Sequence, residues 1–305
     1  TGRQQLSKID WLLRWSPLQL ISREVNRSRP AVLAFHGVDD PEVFAGLMDR
    51  VTRNYRPITI HELDRSMHGD LRLPDRSVLI TFDDGHRSVL ERGLPILAER
   101  GLPAVAFIVP GVLSTNDDFW WSAASDLANA GGLIEGHEGL YGTELVRYLK
   151  QIPDVDRIRA VAALEQSAGR PRAPHPQLKT EDLETLRSGG IEIGNHTWSH
   201  PCLNRCEPGT IETEITRAHA ALEQALGEAP QWFAYPNGDW DQHAEQTLAD
   251  LGYRLAFLFD HRMIEPGTDP LRASRLRVNS NTTPERFEII LSGLHPAIHR
   301  ARGRS

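Results

Sequence analysis

The chain has 305 residues, 40% hydrophobic and 25% charged, with a net charge of −7 and two cysteines. That composition fits a globular protein able to bury a substantial core; it argues against nucleic-acid binding, which needs clustered Lys and Arg, and against a secreted disulfide framework. No apolar run reaches 18 residues, so no membrane-spanning helix is expected, and no signal-peptide pattern opens the chain, which as it stands reads as cytoplasmic.

Residues 1–30 read as an N-terminal extension, and Thr1 is consistent with processing of a longer chain. Trp11-Leu12-Leu13-Arg14-Trp15-Ser16-Pro17-Leu18 is apolar with scattered charge. It reads as a short helix packed on the domain, the other reading being contact with a membrane surface. Ala31–Phe35 is a buried strand. Asp40-Pro41-Glu42 starts a helix, an N-cap followed by Pro at the first helical position, and Phe44, Leu47, Met48 and Val51 share one face of it. Ser77–Phe82 is the next strand, followed by a helical stretch with Leu90, Leu94 and Leu97. Ala104–Val109 is another strand.

From about 117 to 176 the strand signals fade. This helical insert holds Trp120 and Trp121, a helix through Ile158, Val161 and Leu164, and a loop with Pro171, Pro174 and Pro176. Thr180 is placed to cap a helix that stops at Gly189-Gly190. Ile191–Gly194 is a strand. Ile211, Ile215, Ala218, Leu222 and Leu226 form a helix face ending at Gly227. Trp232–Tyr235, Arg254–Phe259 and Arg275–Val278 are further strands. Residues 31–295 thus form the main domain, and 296–305 read as a solvated basic tail containing the run His299 to Arg304.

Strands alternating with helices imply an α/β fold with a parallel sheet. Seven or so such units, with no G-x-G-x-x-G after a strand, fit an α/β barrel. In barrels the chemistry sits at the C-terminal ends of the strands.

Asp83-Asp84 close one strand. Two adjacent carboxylates repel unless something positive sits with them. A divalent metal resolves this if one Asp ligates and the other stays free as a base; the alternative is a solvated turn. His196 and His200 follow another strand, and a spacing of four places both imidazoles on one side of a helical turn. Two His plus one carboxylate leave coordination positions open. The alternative is a pair of hydrogen-bonding loop histidines. Cys202 and Cys206 read as packed or loop thiols more readily than as further ligands. His36 ends the first strand, and an imidazole suits protonation of a leaving amine.

Thr81-Phe82-Asp83-Asp84-Gly85 and His196-Thr197-Trp198-Ser199-His200-Pro201 resemble the motifs of the NodB-homology polysaccharide deacetylases, carbohydrate esterase family 4. The resemblance runs from about Ala31 to Leu294 and takes in Phe119-Trp120-Trp121 and Phe233-Ala234-Tyr235-Pro236-Asn237-Gly238. It implies a distorted (β/α)7 barrel that hydrolyses acetyl groups on sugars. It makes Asp83 the general base and Asp84, His196 and His200 the ligands of a divalent ion, Zn²⁺ first, Co²⁺ or Ni²⁺ otherwise. The family's Arg-Pro-Pro-Tyr-Gly motif here reads Ala234-Tyr235-Pro236-Asn237-Gly238, leaving the Asn237 backbone N–H for the oxyanion and no Arg beside the base. Arg275 is the candidate to supply that charge. The family's late Leu-x-His acid motif falls here on Leu291-Ser292-Gly293-Leu294-His295, which reads as a helix end. Leu33-Ala34-Phe35-His36 matches a strand end better, so a circular permutation makes His36 the acid, with Asp260 placed to orient it. Tyr235, Trp120, Trp121 and Asp260 are expected around the substrate, although core is the better reading for at least one of the two tryptophans.

The expected reaction is release of acetate from an N-acetylated amino sugar in a polysaccharide, oligosaccharide or glycoconjugate. A deacetylase of a small glycoside, glycolipid or biosynthetic intermediate is a second reading, and a carbohydrate-binding pseudoenzyme, motivated by the missing motif Arg, is a third. The oligomeric state is not encoded in these signals.

Overall fold

Runs of apolar residues buried on both faces set the sheet. In the computed structural model, which describes residues 8–301, β1 (Ala31–Phe35), β3 (Ser77–Phe82) and β4 (Ala104–Ile108) are buried along their whole length, as parallel strands covered by helices must be. The other strands are β2 (Arg56–Pro57), β5 (Ile191–Asn195), β6 (Trp232–Ala234), β7 (Leu255–Phe257) and β8 (Leu276–Arg277). Before β1 come α1 (Lys8–Arg14) and α2 (Pro17–Val25); α3 (Pro41–Asn54), α4 (Ile60–Met67) and α5 (Leu94–Glu99) separate the early strands. The segment between β4 and β5 carries α6 (Trp120–Asn129), α7 (Gly142–Leu149), α8 (Asp154–Ser167) and α9 (Asp182–Ser188). α10 (Pro208–Leu226), α11 (Gln242–Asp250), α12 (Pro284–Leu291) and α13 (Leu294–Ala301) complete the chain.

Seven strands run parallel in the order β7-β6-β5-β4-β3-β1-β8, and β2 pairs the start of β3. The ring is drawn together where Phe257 in β7 bridges Ala273, on the segment leading into β8. This is the distorted (β/α)7 barrel expected from the alternation of elements. The first strand of the barrel lies between β3 and the last strand, β8. Its register pairs Phe35 with Phe82, which brings His36 level with Asp83.

Side chains alternate across each strand. One set, including Leu33, Phe35, Ile80 and Phe82, packs outward against Phe44, Leu47 and Leu97 of the helices. The other, including Val32, Leu79, Val105 and Phe107, packs with Ile60 and Leu63 of α4. α3 starts as its sequence dictates: the Asp40 carboxylate accepts the N–H groups of Glu42 and Val43, and Phe44, Leu47, Met48 and Val51 are buried. α6, α7 and α8 hold a separate cluster around Leu127, Leu149 and Leu164.

Several local expectations change. Thr180 is not a helix cap: α9 begins at Asp182, whose carboxylate accepts the Lys179 N–H, while the Thr180 hydroxyl lies 3.3 Å from Ser114 Oγ. Ile158 is exposed, and Arg157 is buried on α8 in its place, paired with Asp154. The strands after residue 230 are shorter than expected. Residues 296–301 are not a tail, because α13 docks on α2 and buries Pro296. The rest of the basic run, 302–304, and Thr1 lie outside the described residues.

Candidate active site

The C-terminal ends of the strands converge on one pocket of about 310 Å³, lined by ten residues that include His36, Asp83, Asp84, His196, His200 and Asn237. His36 follows β1, the two aspartates follow β3, His196 follows β5, and Asn237 follows β6. Barrels place their chemistry at this face because loops can vary there while the strands fix the positions.

Asp83 and Asp84 are both buried and meet different partners. Asp83 accepts a bidentate pair from Arg275, Nη1 to Oδ1 at 2.7 Å and Nη2 to Oδ2 at 2.8 Å. Arg275 is fully buried, donates Nε to the Leu258 carbonyl and also reaches Thr81 Oγ1. Burial alone would push the Asp83 carboxyl up. The charge and hydrogen bonds of Arg275, with His196 and His36 nearby, outweigh it and hold the carboxyl below the usual range. The fork geometry makes this an ion pair of the strong, directional kind.

Asp84 instead faces imidazoles. Its Oδ1 lies 3.5 Å from His196 Nε2 and 3.3 Å from His200 Nε2, and its Oδ2 lies 3.6 Å from His86 Nε2. His196 Nδ1 donates to the Ala234 carbonyl at 2.7 Å. In the neutral ring this leaves an Nε2 lone pair aimed at a carboxylate oxygen. Burial holds His200 neutral, pulling its pKa down to about 3. Asp84 Oδ1 is buried with no hydrogen-bond partner among the described residues. Buried lone pairs that face one another are costly, and a cation between them relieves that cost. The ligand atoms of Asp84, His196 and His200 lie within 4.8 Å of one another. A carboxylate with two imidazoles suits Zn²⁺ and its neighbours in the transition series. The residues present therefore fit a divalent metal.

The two histidines converge through a loop and not a helical turn, which corrects the spacing argument. Thr197 (φ 67°) and His200 (φ 57°) both adopt left-handed backbone. Asn195 Oδ1 accepts the Thr197 N–H, and Thr197 Oγ1 accepts the His200 N–H. Trp120 Nε1 donates to the His200 carbonyl, and Arg157 lies over the Trp120 ring at 4.6 Å.

That use of Trp120 is a second correction: it is buried behind the loop and does not line the pocket. Trp121 does line it, 4.5 Å from the His200 ring and stacked on Phe119. Tyr235 is fully buried, with its hydroxyl on the Leu271 carbonyl, and is not a substrate contact. Asp260 does not meet His36. It accepts Ser274 Oγ at 2.8 Å and the Arg275 N–H at 3.2 Å, so it fixes the segment that carries Arg275. His36 is exposed at the rim, edge-on to Phe259 at 5.5 Å. Asn237 is left-handed (φ 57°), and Gly238 after it has no room for a Cβ, which would lie 2.3 Å from the Phe259 nitrogen. The thiols of Cys202 and Cys206 are pushed up by burial, to about 11 and about 12, and neither belongs to the ligand group.

Four residues at the site escaped the sequence reading. Lys150, at the end of α7, donates Nζ to Asn237 Oδ1. Phe259 and Arg277 line the pocket, with Arg277 Nε on the Phe259 carbonyl. His86 sits against Asp84; burial opposes its charge, but Asp84 outweighs burial and raises its pKa. Only His86 carried a signal, its place directly after Asp-Asp-Gly.

Residues 70–256 match the family model described as polysaccharide deacetylase. A poly-beta-1,6-N-acetyl-D-glucosamine N-deacetylase of Escherichia coli (strain K12) is 38% identical over 246 residues, covering 72% of this chain and 30% of that protein. A chitooligosaccharide deacetylase of Bradyrhizobium sp. (strain ANU 289) is 39% identical over 107 residues, 34% of this chain and 47% of that one. The matches thus span less than half the length of these curated relatives. Among solved structures, Streptococcus pyogenes deacetylase PplD in complex with acetate superposes with a TM-score of 0.62 at 16% identity, covering 86% of this chain and 98% of that chain. IcaB from Ammonifex degensii superposes with a TM-score of 0.60 at 21% identity, covering 88% and 97%. These similarities place the fold.

Proposed function

We propose, from the premise that the chain belongs to the polysaccharide deacetylase family, that it is a metal-dependent N-deacetylase of an N-acetylated glycan, releasing acetate and a free amine. The observation that carries this reading is the division between the two adjacent aspartates. Asp83 is paired with Arg275, while Asp84 Oδ1 is buried with no hydrogen-bond partner where His196 Nε2 and His200 Nε2 converge on it.

Asp84, His196 and His200 would hold the ion, Zn²⁺ before Co²⁺ or Ni²⁺. When bound, the ion supplies Lewis acidity to the acetyl carbonyl and acidifies water. Asp83 takes the proton from the attacking water as its oxygen bonds to the acetyl carbon. Arg275 keeps that carboxylate charged and aimed, the role left open by the motif beside Tyr235. The Asn237 backbone N–H faces the developing oxyanion. His36 gives a proton to the nitrogen as the C–N bond breaks, and acetate leaves from one side and the amine from the other. Trp121 offers an aromatic face to the sugar. The Arg275–Asp83 pair weighs against a binding-only reading.

The name of the Escherichia coli relative favours a β-linked N-acetylglucosamine polymer over a small glycoside. Acetate release after chelation and metal add-back, measured across N-acetylglucosamine oligomers of increasing length, tests both points. Metal-restored activity that rises with length is expected. No acetate from any member with any of the three metals overturns the enzyme reading, and activity confined to the shortest substrates overturns the polymer reading.

A further inference from the structure

α2 is mounted with its polar side inward. Gln19, Ser22 and Asn26, spaced three and four apart, face the C-terminal helices. Gln19 Nε2 donates to the Glu288 carbonyl at 3.0 Å and its Oε1 accepts Ser292 Oγ at 2.9 Å. Ser22 Oγ and Asn26 Nδ2 both donate to the Ser292 carbonyl, at 2.9 and 3.0 Å. Gly293 permits the approach, since a Cβ there would lie 2.5 Å from Asn26 Nδ2. These bonds fix the rotation of the helix, and the rotation turns Leu18, Ile21 and Val25 outward along one stripe, flanked by Leu20. Leu12 and Trp15 of the preceding segment are exposed with them. Six of the eleven exposed large hydrophobic side chains among the described residues therefore fall between 12 and 25, which makes a patch and not a scatter.

The patch has a basic border. Glu24, in the last turn of α2, opens a cleft of about 450 Å³ whose walls carry Arg27, Arg53, Arg56 and Arg76. Two carboxylates lie among them, Glu24 and Asp75, both engaged with Arg27. Arg53, Arg56 and Arg76 are exposed. An apolar stripe with a tryptophan, bordered by an arginine cleft, has the chemistry of an interfacial helix beside a site for anionic headgroups.

We infer that α2, with Trp15 and the Arg53–Arg56–Arg76 cleft, docks the protein on an anionic lipid surface. The stripe enters the acyl boundary and the cleft takes phosphate headgroups. The docking surface is separate from the pocket that holds the reaction and does not depend on how that pocket is read.

Cosedimentation of the protein with vesicles of phosphatidylcholine alone or mixed with phosphatidylglycerol tests this. Binding to the mixed vesicles that weakens with salt is expected. The variant L18S/I21S/V25S should lose it while keeping its circular dichroism and melting temperature. The variant R53Q/R56Q, which leaves the stripe intact, should bind about thirtyfold more weakly. Failure of the protein to sediment with mixed vesicles overturns the inference, as does unchanged binding by either variant. A concentration-dependent dimer abolished by L18S/I21S/V25S would assign the patch to a second copy and overturn it as well.

Discussion

The pocket at the strand ends and the outer face of α2 break the ordinary rule of burial in opposite directions. In the pocket, charged and polar groups are inside: Asp83, Asp84, His196, His200 and Arg275 are all buried. On α2, apolar groups are outside and the polar ones make the anchoring bonds. Folding alone rewards neither arrangement. Each makes sense once a missing phase is supplied, a cation in the first case and an apolar boundary in the second. The two regions should therefore answer mutation differently. Changes in the pocket should cost stability or chemistry, and changes on the outer stripe of α2 should cost neither.

The largest effect is expected at the ligands. Asp84→Ala or His196→Ala should abolish stoichiometric zinc in metal analysis and lower acetate release by more than about a thousandfold. Full metal content in either variant would remove that residue from the site.

Arg275→Met comes next. It leaves a buried carboxylate without its partner, a loss of about 3–5 kcal/mol in thermal or denaturant unfolding. It also has a pH signature. The folded pKa of Asp83 lies below its ordinary value, so its ionisation stabilises the fold above the unfolded pKa, and that contribution is lost as pH falls through the folded one. Without Arg275, burial dominates and the carboxyl rises. The acid limb of kcat/KM should move to higher pH, and an unmoved limb would detach Arg275 from the base.

His36→Ala should lower kcat by about a hundredfold or more, with KM little changed, because the residue stands exposed at the rim, where its ring meets the edge of Phe259 outside the core. An unchanged kcat would leave the leaving nitrogen without its proton donor and send the search to His86 or solvent.

The smallest effect closes the comparison. L18S/I21S/V25S should shift unfolding free energy by no more than about 0.5 kcal/mol per position, although three large apolar residues are removed. A loss of several kcal/mol would show that the stripe is covered in the folded chain.

What the sequence exposed follows the range of each signal. The barrel was legible because each strand is a short apolar run and each helix shows its own periodicity. The pocket residues at strand ends that carry acid–base or ligand chemistry were nameable for the same reason, since a strand end is a local feature, whereas Phe259 and Arg277, also at strand ends, carry no such chemistry and were missed. Residues that arrive from elsewhere were not. Lys150 reaches Asn237 only because the helical insert folds over the rim, and no periodic pattern encodes that docking. Tyr235 was misplaced because neighbouring residues at a strand end point to opposite faces, and the turn that bears Asn237 sends Tyr235 into the core. The spacing of His196 and His200 suited a helical turn equally well, and the left-handed Thr197 and His200 that build the loop have no signature in residue type. On α2, apolar composition was visible, but which side faces the protein was decided by three polar residues and the Ser292 carbonyl.

The central claim is that two adjacent carboxylates have separate tasks, Asp83 as base and Asp84 as ligand. Metal content and acetate release measured together on Asp83→Asn and Asp84→Asn test it most directly. Asp83→Asn should keep one equivalent of metal and lose about 10²–10⁴-fold in turnover, while Asp84→Asn should lose both. Near-normal turnover in Asp83→Asn, or metal lost from it and kept by Asp84→Asn, would contradict the division.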